Sequence, residues 1–183
     1  MSTAQQTALS GTWVINPVHS SINWAVRHNG VSWFRGYFEG LEGKLDATGP
    51  EPVLEGSTKV ENISIRTPDF FRGHLLGDEF FDAENHPDIT FKSRSFQLGD
   101  DGKVTVEGDL TIRGTTKPVT ATGTLEGPQE HGMGTSVGLE LETTINRFDY
   151  GVSWQAPPLV GSEGSGLGEE VKINVIVELD PPK

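Results

Sequence analysis

Apolar and polar residues alternate with a period of two along most of this chain. The clearest series are residues 104–112 and 171–179, in which every second position is apolar or glycine. Successive side chains of an extended strand point to opposite faces, so each series gives one dry face and one wet face. The 23 glycines and 11 prolines fall mostly between such runs, where turns would join neighbouring strands. The pattern predicts an all-β domain.

About eight such strands can be counted between Thr12 and Leu179. Eight antiparallel strands can close into a barrel without exposed edges, with an interior that side chains fill or that holds one small ligand. We therefore expect a single antiparallel eight-stranded barrel over residues 11–183, preceded by a disordered tail over residues 1–10. A two-sheet sandwich of the same strands is the alternative that periodicity leaves open.

Local signals refine this expectation. Residues 67–76 form the one convincing helical segment, because Pro68 suits a first turn and apolar residues follow at helical spacing up to Gly77. The Asn29-Gly30 pair predicts a tight hairpin turn. Residues 53–65 are interpreted as one long extended run.

Composition excludes several classes of function. The formal net charge of −12 disfavours phosphate backbones, so no nucleic acid partner is expected. Cysteine is absent, which removes disulfides and thiolate chemistry. No run approaches the roughly 20 apolar residues that span a bilayer, so no stable membrane insertion is expected. The first ten residues lack the features of a secretory signal, and a cytoplasmic location is expected.

Catalytic and metal-binding patterns are weak. No two histidines have the spacing that aims two imidazoles at one metal ion, their positions being 19, 28, 74, 86 and 131. No Gly-x-Ser-x-Gly elbow occurs, and the glycine- and serine-rich stretch 161–166 is interpreted as a flexible connection. We therefore predict neither an enzyme nor a cofactor or metal site.

Aromatic residues are numerous along the predicted strands, with nine phenylalanines and four tryptophans. On inward faces they could fill a small barrel solidly, or they could wall a tunnel for an apolar chain. Composition does not decide between the two.

Several motifs together resemble the YceI-like family, a lipocalin-resembling group associated with polyisoprenoid binding. They are Trp13-Val14-Ile15, His19-Ser20, His28, His74-Leu75, Asp78, Phe80-Phe81-Asp82, Pro87 to Ser93, Gly108 to Gly114, Thr116-Lys117-Pro118, Arg147 to Gly151 and Gly168 to Val171. The resemblance implies a lipocalin-like barrel, a long hydrophobic pore for an isoprenoid chain such as a quinone tail, and a homodimer as the common assembly.

We therefore predict that the barrel interior binds a long-chain isoprenoid or a similar amphipathic, quinone-like lipid, for carriage, storage or sequestration. The residues expected to line the interior are Ile22, Trp24, Phe34, Phe38, Phe91, Leu110, Ile112, Leu139 and Leu141. His74 and Arg147 are the polar residues expected to meet a head group. Two alternatives stay open: a small-lipid hydrolase or isomerase on the same barrel, and a stress-response interaction protein with a filled core.

Overall fold

The protein is described by a computed structural model that covers residues 9–158, 160 and 165–182. Ten β-strands within these residues form one antiparallel sheet. They are β1 (Gly11–Ile15), β2 (Ser21–His28), β3 (Ser32–Phe38), β4 (Glu42–Ala47), β5 (Val53–Lys59), β6 (Asp88–Leu98), β7 (Lys103–Ile112), β8 (Thr115–His131), β9 (Gly134–Asn146) and β10 (Leu167–Asp180). One α-helix, α1 (Asp69–Leu76), and 3-10 turns at Val60–Asn62 and Arg147–Tyr150 complete the described elements.

The sheet closes on itself as a barrel of eight strand positions. Strands β1 and β2 lie end to end along β10, with Ile15 opposite Leu179 and Ser21 opposite Ile176. Strands β3 and β4 lie end to end in the same way, since β3 pairs with β2 and β4 pairs with β1. The remaining neighbours follow chain order from β4 to β10. Each interrupted pair thus acts as one long strand, and the predicted eight-stranded barrel is confirmed.

The turns at the hairpins follow from residues that tolerate a left-handed backbone. Asn29 and Gly30 have φ values of 50° and 69°, and Arg113 and Gly114 have φ values of 48° and 69°. Positive φ at both central positions matches the right-handed twist of the flanking strands. The hairpin predicted at Asn29-Gly30 is therefore present between β2 and β3.

Helix α1 lies between β5 and β6 in the chain and covers one end of the barrel. Gly77 follows its last residue, as the sequence predicts, whereas the helix begins at Asp69, so that Pro68 lies just before the first turn and not within it. Its apolar face carries Leu75, which is buried, and Phe71 and Leu76, which pack against the same core cluster. Burial of its apolar face therefore stabilises the helix, because an isolated helix of eight residues would be only marginally stable.

The run predicted as extended over residues 53–65 is a strand only as far as Lys59. Val60 donates its N–H to the carbonyl of Pro87, at 2.8 Å, and the chain then turns through one 3-10 turn. Val60 and Ile63 are both buried by this turn, although an uninterrupted strand would have put them on opposite faces. Burial of two apolar side chains thus overrides the local extended pattern.

The two ends of the interior differ in packing. The end away from α1 is filled by large buried side chains that interdigitate, a plug made of Trp13, Leu45, Phe96, Val104, Val106, Leu125, Val137 and Leu179. The α1 end is surrounded by a second cluster, which includes Phe38, Leu75, Phe80, Ile112 and Tyr150. The filled end will be called the plugged end and the other the α1 end.

Two predicted segments fall partly outside the described residues. Of the tail expected over residues 1–10, positions 1–8 lie outside, while Leu9 packs against the plugged-end cluster and the Ser10 carbonyl accepts a 2.9 Å bond from Trp13 Nε1. Of the glycine- and serine-rich stretch, positions 161–164 lie outside. No helix in the described part of the chain is long and apolar enough to cross a bilayer.

Gly123 is required by the close approach of β8 and β9. A Cβ atom there would overlap the carbonyl oxygen of Glu140, which is backbone and cannot rotate away. We expect Gly123→Ala to lower the free energy of unfolding by about 1–3 kcal/mol, the usual cost of forcing atoms into a packed site. Urea unfolding followed by tryptophan fluorescence measures the change.

Gly138→Ala is the matched control on β9. A Cβ there would meet open space in the described structure, so its effect should be neutral or stabilising by less than about 1 kcal/mol. Equal unfolding free energies for the two variants would contradict the close packing of β8 on β9.

Candidate functional site

The interior between the plugged end and α1 is not filled by side chains. It contains a cavity of about 210 Å³, the space in which the centre of a water molecule could move. A single buried water needs only roughly 10–15 Å³ of such space. The cavity is therefore far larger than a packing defect, and the described barrel does not have the solid core of the filled-core alternative.

The cavity is elongated along the strands. Residues of β10 line it from Leu167 to Val177, a span of up to about 34 Å at roughly 3.4 Å per residue. For strands inclined by about 40° to the barrel axis, the depth is up to roughly 26 Å. An apolar chain lying along the axis would fit this shape better than a compact molecule.

Almost every side chain of the wall is apolar, and the wall is built by alternate residues of most of the strands. All nine apolar residues that the sequence predicts to face inward lie in it: Ile22, Trp24, Phe34, Phe38, Phe91, Leu110, Ile112, Leu139 and Leu141. Their part in ligand binding stays a prediction. The alternation does, however, predict correctly which face of these strands points inward.

A chain of aromatic contacts lies at the α1 end. Trp24 packs edge-on against Phe34, with ring centroids 5.1 Å apart, and Phe34 packs against Phe71 of α1 at 5.7 Å. A second series joins Phe38 to Phe81 at 6.0 Å and Phe81 to Phe80 at 5.3 Å. The first three pairs are edge-to-face and the last is tilted. Aromatic pairs of this kind stabilise the fold beyond the burial of their area, and they fix α1 and the following loop over the cavity.

His74 packs behind this aromatic layer. Its ring lies 4.7 Å from Trp154 and 5.8 Å from Phe80, and it is not among the residues of the cavity wall. Its Nδ1 is 3.8 Å from the carboxylate of Glu79. The predicted contact of His74 with a head group would need a ligand that reaches past Phe80.

Arg147 does lie in the cavity wall, and it is only 4% exposed. Its Nε donates to the carbonyl of Gly168 at 2.8 Å, and its Nη1 donates to the carbonyls of Val152 and Trp154, each at 2.7 Å. Its Nη2 donates to the carbonyl of Leu167 at 3.3 Å. Burial lowers the pKa of this guanidinium. Four of its five N–H groups are thereby committed to backbone carbonyls.

Two other arginines bind loops of the α1 end in the same way. Arg72 donates to three carbonyls at positions 61, 63 and 65. Arg113 donates to three carbonyls at positions 78, 80 and 151. Loop carbonyls lack the partners that a sheet would supply, and the planar five-donor guanidinium can satisfy several of them at once. The three arginines therefore order the loops around the cavity.

Tyr150 is a polar residue of the wall that the sequence analysis does not predict as a site residue. It follows β9 on the 3-10 turn and is only 2% exposed, and its hydroxyl has no hydrogen-bond partner in the described structure. Burial raises the pKa of Tyr150 to about 12. A tyrosine outside the period-two pattern gives no inward signal, and only its place in the motif Arg147 to Gly151 could have drawn attention to it.

The wall offers little chemistry for catalysis. Arg147 and Tyr150 are its only titratable side chains among the described residues, so it holds no acid and base pair there. The described residues contain no group of three or more metal-ligating side chains. Its remaining hydroxyls belong to Ser57, Thr90 and Thr143, of which the last donates to the carbonyl of Thr120 at 2.8 Å. The arrangement is suited to burying an apolar molecule.

A closed β-barrel with an elongated apolar cavity defines a class of proteins that enclose small hydrophobic molecules. Within this class the chain belongs to the YceI-like family, because the model of the YceI-like domain matches residues 13–179. The family resemblance of the sequence motifs is thus confirmed over nearly the whole described barrel.

Relatives and solved structures agree with this assignment. UPF0312 proteins of Pseudomonas putida and Pseudomonas fluorescens are 30% and 36% identical over 141 and 148 residues, covering 73% of this chain and 71% of each relative. The crystal structure of BcnA from Burkholderia cenocepacia has a TM-score of 0.73 at 18% identity, covering 90% of this chain and 98% of its own. A polyisoprenoid binding domain from Saccharophagus degradans, implicated in plant cell wall breakdown, has a TM-score of 0.70 at 11% identity, covering 93% and 98%. At these identities the two structures show a shared fold.

The buried hydroxyl of Tyr150 predicts a loss of stability in alkali. The unfolded chain releases the tyrosine proton near pH 10, whereas the folded chain keeps it until about pH 12. The unfolded state therefore binds fewer protons in this window, and stability falls as the pH rises through it, by about 2–3 kcal/mol for this group. Tyr150→Phe should lose this part of the pH dependence.

Urea unfolding at several pH values between 9 and 12 measures the effect. Tyr37→Phe is the matched control, because Tyr37 is the other tyrosine and is exposed on the outer face. Tyr37→Phe should lose stability in alkali as the unchanged protein does. An identical pH dependence in Tyr150→Phe and in the unchanged protein would contradict the burial of this hydroxyl.

Proposed function

We propose that this protein binds a long-chain isoprenoid, or a similar amphipathic lipid with a quinone-like head, inside the barrel. The observation that carries the proposal is the apolar cavity that side chains leave unfilled. Removing a hydrocarbon from water stabilises the complex by about 0.8 kcal/mol for each buried methylene, before ordering costs are subtracted. An unbranched or isoprenoid tail of several units uses the whole depth of the wall.

The shape of the interior supports a chain and not a compact ligand. Toward the plugged end the wall includes Leu54, Ala121 and Leu139, which belong to the same buried cluster as the residues of the plug. A tail that enters from the α1 end would therefore stop against the plug. Such an enclosed tail suits carriage, storage or sequestration of a lipid without chemical change. The predicted homodimer and cytoplasmic location are separate from this proposal and stay predictions.

The described wall gives less support to the enzyme alternative. A hydrolase or isomerase needs an acid or base within hydrogen-bond reach of the reacting atoms. No histidine of the described residues lies in the wall, His74 packs against the wall residue Phe80, and Arg147 is committed to backbone carbonyls. Binding is therefore the function that these residues favour.

Ala121→Phe tests the proposal by filling the cavity from its wall. Ala121 is a buried, small member of the wall on β8, so a phenyl group there would occupy the space of the ligand tail. Displacing two or more methylenes should weaken binding of hexaprenol by roughly 15-fold or more. Quenching of intrinsic tryptophan fluorescence measures the dissociation constant, with the shorter farnesol compared alongside.

Thr122→Phe is the matched control, since Thr122 is the next residue on β8 and is exposed outside the barrel. It should bind hexaprenol as the unchanged protein does. Unchanged binding in Ala121→Phe, or equal affinity for farnesol and hexaprenol in the unchanged protein, would show that the tail is not held in this cavity.

A further inference from the structure

Two buried polar atoms of the cavity wall lack hydrogen-bond partners in the described structure. They are the indole Nε1 of Trp24 and the hydroxyl oxygen of Tyr150. A third such atom, Nε2 of His74, lies outside the wall. An unsatisfied buried polar group destabilises the folded state, and folded proteins keep few of them. Two in one apolar wall point to a partner that the ligand supplies.

We propose that Trp24 and Tyr150 form a polar subsite that receives an uncharged oxygen of the bound lipid, a hydroxyl or a carbonyl, and not a phosphate or carboxylate. Both groups can donate a hydrogen bond, and Tyr150 can also accept one. The inference rests on the proposed lipid binding and specifies the head group that this cavity accepts.

The charges around the cavity argue against an anionic head. Arg147 is the only cation of the described wall, and four of its five N–H groups are donated to backbone carbonyls of the loop after the second 3-10 turn and of the start of β10. A phosphate brought into the wall would therefore lack a second cation and a bidentate partner, at a large desolvation cost. The chain's net charge of −12 also repels an anionic head group.

The position of the subsite gives the ligand a direction. Trp24 of β2 pairs with Ile173 of β10, and Tyr150 follows the end of β9, so both lie toward the α1 end of the cavity. Leu139 is paired with Val177, four residues further along β10 toward the plugged end. The oxygen-bearing head should therefore lie near α1, with the tail extending toward the plug.

Three six-unit probes separate the possibilities: hexaprenol, hexaprenyl phosphate and the hydrocarbon squalene. The unchanged protein should bind hexaprenol about five-fold or more tighter than squalene, because the net free energy of one hydrogen bond corresponds to an affinity ratio of about this size. Hexaprenyl phosphate should bind more weakly than hexaprenol. Tyr150→Phe should weaken hexaprenol about five-fold and leave squalene unchanged. Tyr37→Phe, on the exposed outer face, should change neither.

Trp24→Phe is the second variant, and it keeps the test available if Tyr150→Phe does not fold. It should likewise weaken the binding of hexaprenol relative to that of squalene. Equal affinity of the unchanged protein for hexaprenol and squalene would overturn the subsite while leaving lipid binding intact. Tightest binding of hexaprenyl phosphate would overturn the uncharged head, as would an equal loss of both neutral probes in Tyr150→Phe. Binding of none of the three would overturn the proposed function together with the subsite.

Discussion

Closure of the sheet into a ring of eight strand positions fixes the width of the interior, and the rest of the molecule depends on that width. A ring of this size can be filled by side chains or can hold one small ligand. This chain does both, at different depths. Large residues such as Trp13 and Phe96 interdigitate at the plugged end, whereas small ones such as Ala121 and Gly56 leave the middle of the barrel open. The choice between a core and a cavity is thus made by side-chain volume on inward positions, without any change in the strand pattern.

The open end is ordered by polar contacts that an apolar wall cannot provide. Arg72, Arg113 and Arg147 bind the carbonyls of the loops around α1, and the aromatic contacts from Trp24 to Phe71 fix the helix over the cavity. Guanidinium groups suit this task because one side chain satisfies several carbonyls in fixed geometry. Because Arg147, the arginine of the wall, is committed to backbone carbonyls, the described wall has almost no charge available to a ligand. Ordering of the loops and the proposed preference for an uncharged lipid therefore have one physical origin.

Much of this could be predicted from the sequence, and what could not has a physical reason. Period-two alternation placed residues such as Phe34, Leu110 and Leu139 on inward faces, because side-chain direction in a strand depends on position alone. The 3-10 turn at Val60–Asn62 was missed, since tertiary burial of Val60 and Ile63 decided it. Tyr150 was missed because it lies beyond the last residue of β9, where alternation ends. The presence of a cavity could not be read from composition, because it depends on how the volumes of facing side chains add up.

The inward faces of the strands enclose an elongated apolar space, and we propose that an apolar molecule occupies it. Native mass spectrometry of the protein, purified without detergent, tests this occupancy. We expect a species heavier than the chain by the mass of a lipid, which is lost on denaturation and extracts into organic solvent. A spectrum that shows the mass of the protein alone, before and after incubation with isoprenoid lipids, would rule out a lipid in the barrel.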